Sequence, residues 1–226
     1  RGRDLDALAA WRGELYGELD YADLAIWRQW VDYPVDLPRG SGGLRLWLSF
    51  QRLQPTAVTA DVRLADVAVR LAPELPLLEL DRLEGRLAAR QLPDRREVRA
   101  KALTLATRDG VRIEAMDFDL RQQLAAADRP AAFELTANAL DLGALAALAA
   151  HLPLAEEVRQ QLAAFAPRGR LQNLALAWQG DGAAPASWRA KGDFTGLGLR
   201  AHESVPGFAG LSGHIEGDHK KGRLSV

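Results

Sequence analysis

Apolar and polar residues alternate through much of this chain. Leu44, Leu46, Leu48 and Phe50 are interleaved with Arg45, Trp47, Ser49 and Gln51, the period-two pattern of a strand with one apolar face. The alternation recurs at Val58-Ala60-Val62-Leu64, Val67-Val69-Leu71, Leu103-Leu105, Val111-Ile113, Phe133-Leu135, Leu174-Leu176-Trp178 and Leu197-Leu199. Polar residues at the intervening positions predict antiparallel pairing with one solvated face. Arg108-Asp109-Gly110 predicts a hairpin turn, because Asp-Gly readily takes positive φ, and Lys220-Lys221-Gly222 predicts another.

Helical periodicity is confined to short inserts. Asp20 is expected to cap a helix from Tyr21 to about Val31, with Leu24, Trp27 and Val31 on one stripe and Pro34 ending it. Asp141 is expected to cap a second, carrying Leu142, Leu145, Leu148 and Leu152 and stopped by Pro153. A third is predicted from about Ala155 to Ala166, with Val158, Leu162 and Phe165 on its apolar side.

The two halves resemble each other. Leu19-Asp20-Tyr21-Ala22-Asp23-Leu24 parallels Leu140-Asp141-Leu142-Gly143-Ala144-Leu145, and Pro38-Arg39-Gly40 parallels Pro167-Arg168-Gly169. Leu64 to Arg70 parallels Phe194 to Arg200, and Leu83-Glu84-Gly85 parallels Leu211-Ser212-Gly213. In both copies the apolar phase slips by one residue, between Leu64 and Val67 and between Phe194 and Leu197, which requires a bulge or bend. The expected organisation is a repeat of about 125–130 residues: the end of a preceding unit at 1–18, a first unit at 19–139 and a second at 140–226. The inserts are too small to cover the sheet, since a helix masks a strip about 10 Å wide and five strands present over about 20 Å. Either a second sheet closes a β-sandwich, which physics alone favours, or an apolar groove stays open for a lipid-like ligand.

Composition narrows this picture by exclusion. The chain has 226 residues, 48% hydrophobic and 26% charged, with a formal net charge of −1. That is a globular composition with no general attraction to nucleic acid or anionic membranes. It has no cysteine, which removes disulfides, thiolate metal sites and a cysteine nucleophile. No apolar run reaches the roughly 18–20 residues of a membrane span. The chain opens on Arg1-Gly2-Arg3 and closes on the alternating Arg223-Leu224-Ser225-Val226, so a section of a longer protein is expected.

Candidate chemistry is sparse. His151, His202, His214 and His219 fall outside ligand spacings such as HxH or HxxxH, although His202 and His214 could approach across strands. Gly40-Ser41-Gly42-Gly43 lacks the Lys-Ser/Thr of a phosphate loop, and Gly210-Leu211-Ser212-Gly213 misses the GxSxG spacing. No acid–base pair can be nominated. The expectation is therefore a protein that is not an enzyme, with no catalytic residue, no metal ligand and no cofactor. Arg95-Arg96-Glu97-Val98-Arg99-Ala100-Lys101 is locally basic, which admits a contact with lipid head groups.

The order of several segments resembles the YhdP branch of the large AsmA-like bacterial envelope proteins across nearly the whole chain. The residues that carry it are Leu19 to Leu24, Tyr33 to Gly40 with Leu44-Arg45-Leu46-Trp47, Leu140 to Gly143, Pro167 to Leu174, Trp178-Gln179-Gly180 and Pro206 to Gly213. The resemblance implies a mainly β fold with short helical inserts (α+β), an extended, strongly curved antiparallel sheet forming a taco-like groove of repeated units. It also implies a periplasmic segment of a lipid-transport conduit, held in the inner membrane by an anchor outside this chain. Phospholipid acyl chains, adjacent repeats of the full-length protein and envelope proteins are the implied partners; no nucleic acid is. The apolar strand positions become lipid-groove candidates: Leu46, Leu48, Phe50, Val58, Val62, Leu64, Val67, Val69, Leu103, Leu105, Val111, Ile113, Phe133, Leu135, Leu174, Leu176, Trp178, Phe194, Leu197, Leu199 and Ile215. The alternative is a structural or protein-interaction β-sandwich repeat without a ligand.

Overall fold

A computed structural model describes residues 12–28, 35–52, 54–180 and 185–226. Among them, strands β1 (Arg12–Asp23), β2 (Asp36–Gln51), β3 (Gln54–Arg70), β4 (Leu78–Gln91), β5 (Arg95–Thr107) and β6 (Arg112–Gln123) follow one another. β7 (Ala132–Asp141), β8 (Arg168–Gly180), β9 (Pro185–Leu199), β10 (Phe208–Asp218) and β11 (Gly222–Ser225) continue the series. Every strand pairs with its sequence neighbour, giving one antiparallel sheet in the order β1 to β11, not closed into a barrel. The sandwich expectation fails here: among the described residues there is no second sheet to face the first. The predicted turns are in place, with the Gly110 N–H donating to the Thr107 carbonyl and the Asp218 N–H donating to the Lys221 carbonyl.

The helices are shorter than predicted, most of all the first. Helix α1 runs only Leu24–Trp27, and its cap is Asp23, whose Oδ1 accepts from the Ala25 N–H at 3.0 Å. Asp20 and Tyr21 instead lie within β1, in an irregularity between the Leu19–Leu44 and Ala22–Gly42 pairs, because the strand resumes its ladder with β2 at Ala22 and Asp23. The expected stretch to Val31 lies outside the described residues. Helix α2 (Leu142–Leu148) is capped as predicted, Asp141 Oδ1 accepting from the Ala144 N–H at 2.8 Å, and passes into a 3₁₀ turn at Ala149–His151. Helix α3 (Glu156–Phe165) ends at Ala166, whose left-handed φ of 41° closes it before Pro167.

The strands bend along a common line. Asp66 in β3, Ala102 in β5, Asn173 in β8, Gly196 in β9 and Gly210 in β10 all have positive φ, from 47° to 79°. Each precedes an apolar residue that lies three positions after another: Leu64 and Val67, Ala100 and Leu103, Leu171 and Leu174, Phe194 and Leu197, Phe208 and Leu211. The extra left-handed residue restores the alternation, so both members of each pair stay on the apolar side while the strand turns. Asp66 and Gly196 occupy matching places in the two halves, where the sequence phase slips. Side chains satisfy groups that the bulges free from the ladder. The Ala102 N–H donates to Asp117 Oδ1 at 2.7 Å and the Gly196 N–H to Ser212 Oγ at 3.1 Å.

Segments on both sides of this line share one buried cluster. Leu44, Val62 and Leu83 from one side pack against a core of Leu64, Val67, Val69, Leu78 and Leu80, together with Leu24 of α1 and Leu148 of α2. Two stretches of one sheet face can share neighbours only where that face is concave. The helical inserts therefore sit inside the curve, and α2, which follows β7, reaches back to residues of β3 and β4.

Candidate functional site

The sheet's two faces differ in chemistry all the way across. Register pairs place Leu15, Leu48, Val58, Ala89 and Val98 in one row on the apolar side, which continues through Leu120, Leu135, Leu176 and Ala190. The next row towards the bend is Gly17, Leu46, Ala60, Leu87, Ala100, Phe118, Ala137 and Leu174. Side chains directly opposite in such pairs lie about 4.5–5.5 Å apart, so these rows form an unbroken apolar surface perpendicular to the strands.

The outer face carries charge in alternating sign. Arg45 Nε donates to Glu18 Oε1 at 2.7 Å, Arg86 makes a two-pronged bond to Asp61 at 2.5 and 2.7 Å, and Arg99 Nε donates to Asp119 Oδ2 at 2.5 Å. Hydrogen bonds from Tyr16 and Arg45 hold the Glu18 carboxyl below the usual range, and the bond from Arg86 does the same to Asp61. Trp47, which the sequence places among polar positions, is here, with the Tyr16 ring centroid at 5.3 Å and the Arg86 guanidinium 5.5 Å from its own. In a shallow depression of this face Glu18 pairs with Arg45 and Asp61 with Arg86.

The apolar face divides into a covered and an open stretch. Leu64, Val67 and Val69 belong to the buried cluster, and Val62, Leu105, Val111 and Ile113 pack against it. Leu103, Leu174 and Phe194 are buried at the bend line, while Leu197 and Leu199 lie beyond it, paired with Leu211 and Phe208. Leu46, Leu48, Phe50, Val58, Phe133, Leu135, Leu176 and Trp178 are only half-buried. Ile215 is exposed, as is Val98, at 42% and 41%. The structure adds Leu15, Leu87, Val98, Phe118, Leu120 and Trp188 to this surface. Phe118 and Leu120 carry the period-two signal between Asp117, Asp119 and Arg121, whereas Val98 is masked by the basic run around it.

The tip row of the open stretch is different again. Gln91, Arg96, Gln122, Phe133, Trp178 and Trp188 follow one another in register. The Phe133 and Trp178 rings are stacked, 4.9 Å between centroids and 6° between planes. Trp178 Nε1 is buried with no hydrogen-bond partner.

The histidines do not converge. His214 Nδ1 lies 2.8 Å from Asp193 Oδ1, and Asn173 donates to the same carboxylate at 2.9 Å; these contacts, Asn173's first, hold the Asp193 carboxyl low. His202 packs edge-on against Phe165, and His151 lies 3.4 Å from the Pro76 carbonyl. Among the described residues no three His, Asp or Glu side chains form a metal-sized group, and no helix is long and apolar enough to cross a membrane.

A family model described as YhdP protein matches residues 3–226. No curated protein and no solved structure matches the chain.

Proposed function

The chain belongs to the YhdP protein family, and on that premise we propose that it is a segment of a lipid-transport conduit in the bacterial envelope, working in the periplasm. Phospholipid acyl chains lie against the open stretch of the apolar face and slide along it from strand to strand. The lining runs from Leu46, Leu48 and Val58 through Val98 and Leu120 to Leu135, Leu176 and Trp178. The covered residues around Val67 and Leu80 hold the curve and do not touch lipid. No bond is made or broken.

One observation carries this reading: the apolar rows cross the sheet without a break, and the row from Leu15 on β1 to Ala190 on β9 stays partly open to solvent throughout. Each acyl CH₂ kept from water is worth about 0.8 kcal/mol, so an unbroken apolar surface removes the main cost of moving a lipid through water. Polar pockets, which would trap one head group, are missing from those two rows. Adjacent repeats of the full-length protein would extend the surface beyond β1 and β11. A second reading, an envelope module that binds protein partners, is favoured by the exposed Tyr16 and Trp47 on the outer face.

Native mass spectrometry of the full chain, after incubation with phosphatidylethanolamine and phosphatidylglycerol vesicles and removal of the vesicles, separates the two. The conduit reading expects phospholipid adducts that disappear in the Leu120→Asp, Leu135→Asp double variant. A folded chain with no lipid adduct would leave only the protein-binding reading.

A further inference from the structure

Arg96 is out of place. Alternation along β5 puts it on the same face as Val98 and Ala100. In the open rows and the tip row above them, it is the only charged side chain among the described residues. Its neighbours in sequence are paired, Arg95 with Glu97 and Arg99 with Glu97 and Asp119. The Arg96 side chain is exposed and has no ion-pair or hydrogen-bond partner among the described residues. Its register neighbours are Gln91 and Gln122, and the stacked Phe133 and Trp178 follow Gln122 in the same row.

A free guanidinium beside an amide and an aromatic pair, directly above an apolar surface, matches the boundary between a lipid's head and its chains. Guanidinium binds phosphate oxygens through two parallel N–H donors, and tryptophan favours the interfacial level because its ring is apolar and its N–H polar. The depth also fits. From Arg96 to the bend at Ala102 is six residues, about 20 Å at roughly 3.3 Å each, enough for one acyl layer, about half of a 30 Å hydrocarbon core.

We propose that Arg96 and Gln122, beside the Phe133–Trp178 stack, form a subsite for the phosphodiester of a glycerophospholipid whose chains lie along Val98, Leu120 and Leu135. This rests on the conduit reading above and adds a defined stopping place to it. The occupant is a lipid head group; free phosphate has no use for the apolar rows below.

The test compares dioctanoylphosphatidylglycerol with dioctanoylglycerol, which share their chains and differ in the phosphate, by tryptophan fluorescence of the full chain. Arg96→Gln should weaken phosphatidylglycerol binding about tenfold, the range of a charged hydrogen bond, and change dioctanoylglycerol binding less than about twofold. Arg96→Lys, which keeps the charge but loses the two parallel donors, should fall between the unaltered chain and Arg96→Gln. If both lipids bind and Arg96→Gln weakens neither, the head-group subsite is overturned and the conduit reading stands. If the unaltered chain binds neither lipid, both readings fail. Inorganic phosphate binding as tightly as phosphatidylglycerol would overturn the lipid as occupant.

Discussion

Val67 and Val98 lie on the same face of the same sheet, yet Val67 is 1% exposed and Val98 is 41% exposed. Both sit in alternating strands, and both have apolar neighbours across the ladder: Leu80 for Val67, Ala89 and Leu120 for Val98. What differs is the third dimension. Around Val67 the bend brings two stretches of sheet together under α1 and α2, whereas nothing in the described residues covers Val98. Burial on this face is therefore set by the inserts and the bend, not by the strand pattern. The covered stretch supplies stability and the open stretch supplies surface.

Substitutions at matched places should break the comparison in opposite ways. Leu80→Asp puts a charge into the cluster, where Leu80 is 2% exposed, and should cost about 4 kcal/mol or more, seen as loss of the cooperative thermal transition. Val98→Asp, on solvated surface, should change stability by less than about 1 kcal/mol while removing lipid adducts. Similar destabilisation at both sites would mean that the open stretch is covered in solution.

The role of α2 is sharpened by Leu148→Ala. Leu148 is 5% exposed among β3 and β4 residues, so its truncation should cost about 3 kcal/mol in urea unfolding. A negligible change would detach α2 from the first half. At the bend line, Ala102 holds a φ of 49°, a conformation that disfavours any residue with a Cβ. Ala102→Gly should raise stability by about 0.5–1 kcal/mol, and Gly196→Ala should lower it by a similar amount. A reversed pair of signs would contradict the left-handed bulges.

The smallest effect expected is acid sensitivity of the outer face. Asp61 and Asp193 have folded pKa values below their ordinary ones, through hydrogen bonds from Arg86 and, for Asp193, first from Asn173 and then from His214. A depressed carboxylate stabilises the fold above its unfolded pKa, and the contribution disappears as pH falls through the folded value. The contribution from these groups should stay flat above about pH 5 and decline below the ordinary carboxylate range near 4. Asp61→Asn should flatten that decline. Stability that rose on acidification would contradict the pairing.

Strand identity was legible wherever apolar residues alternate, and so were both hairpin turns, the Asp141 cap and the bend at Val67 and Leu197. The bends at Ala102 and Asn173 were missed, although Ala100–Leu103 and Leu171–Leu174 carry the same three-residue spacing. Alanine gives no sign of positive φ, and asparagine, though it tolerates that conformation, gives a weaker one than glycine. The first helix was overextended because Leu24, Trp27 and Val31 fit a helical stripe, while the β2 partners of Ala22 and Asp23 carry the strand past Tyr21. Covered and open residues could not be told apart, since Val67 and Val98 owe their difference to an insert about 80 and 50 residues away in sequence. Arg96 was visible only as part of a basic run; register alone separates it from Arg95 and Arg99.

Photo-crosslinking tests the division of faces most directly. p-Benzoylphenylalanine at Val98 or Leu135 on the open apolar face, and at Thr59 or Thr136 on the outer face, is irradiated with the full chain and phosphatidylethanolamine–phosphatidylglycerol vesicles. Phospholipid adducts are expected at Val98 and Leu135 and none at Thr59 and Thr136. Equal crosslinking on both faces, or none at Val98 and Leu135, would contradict that division.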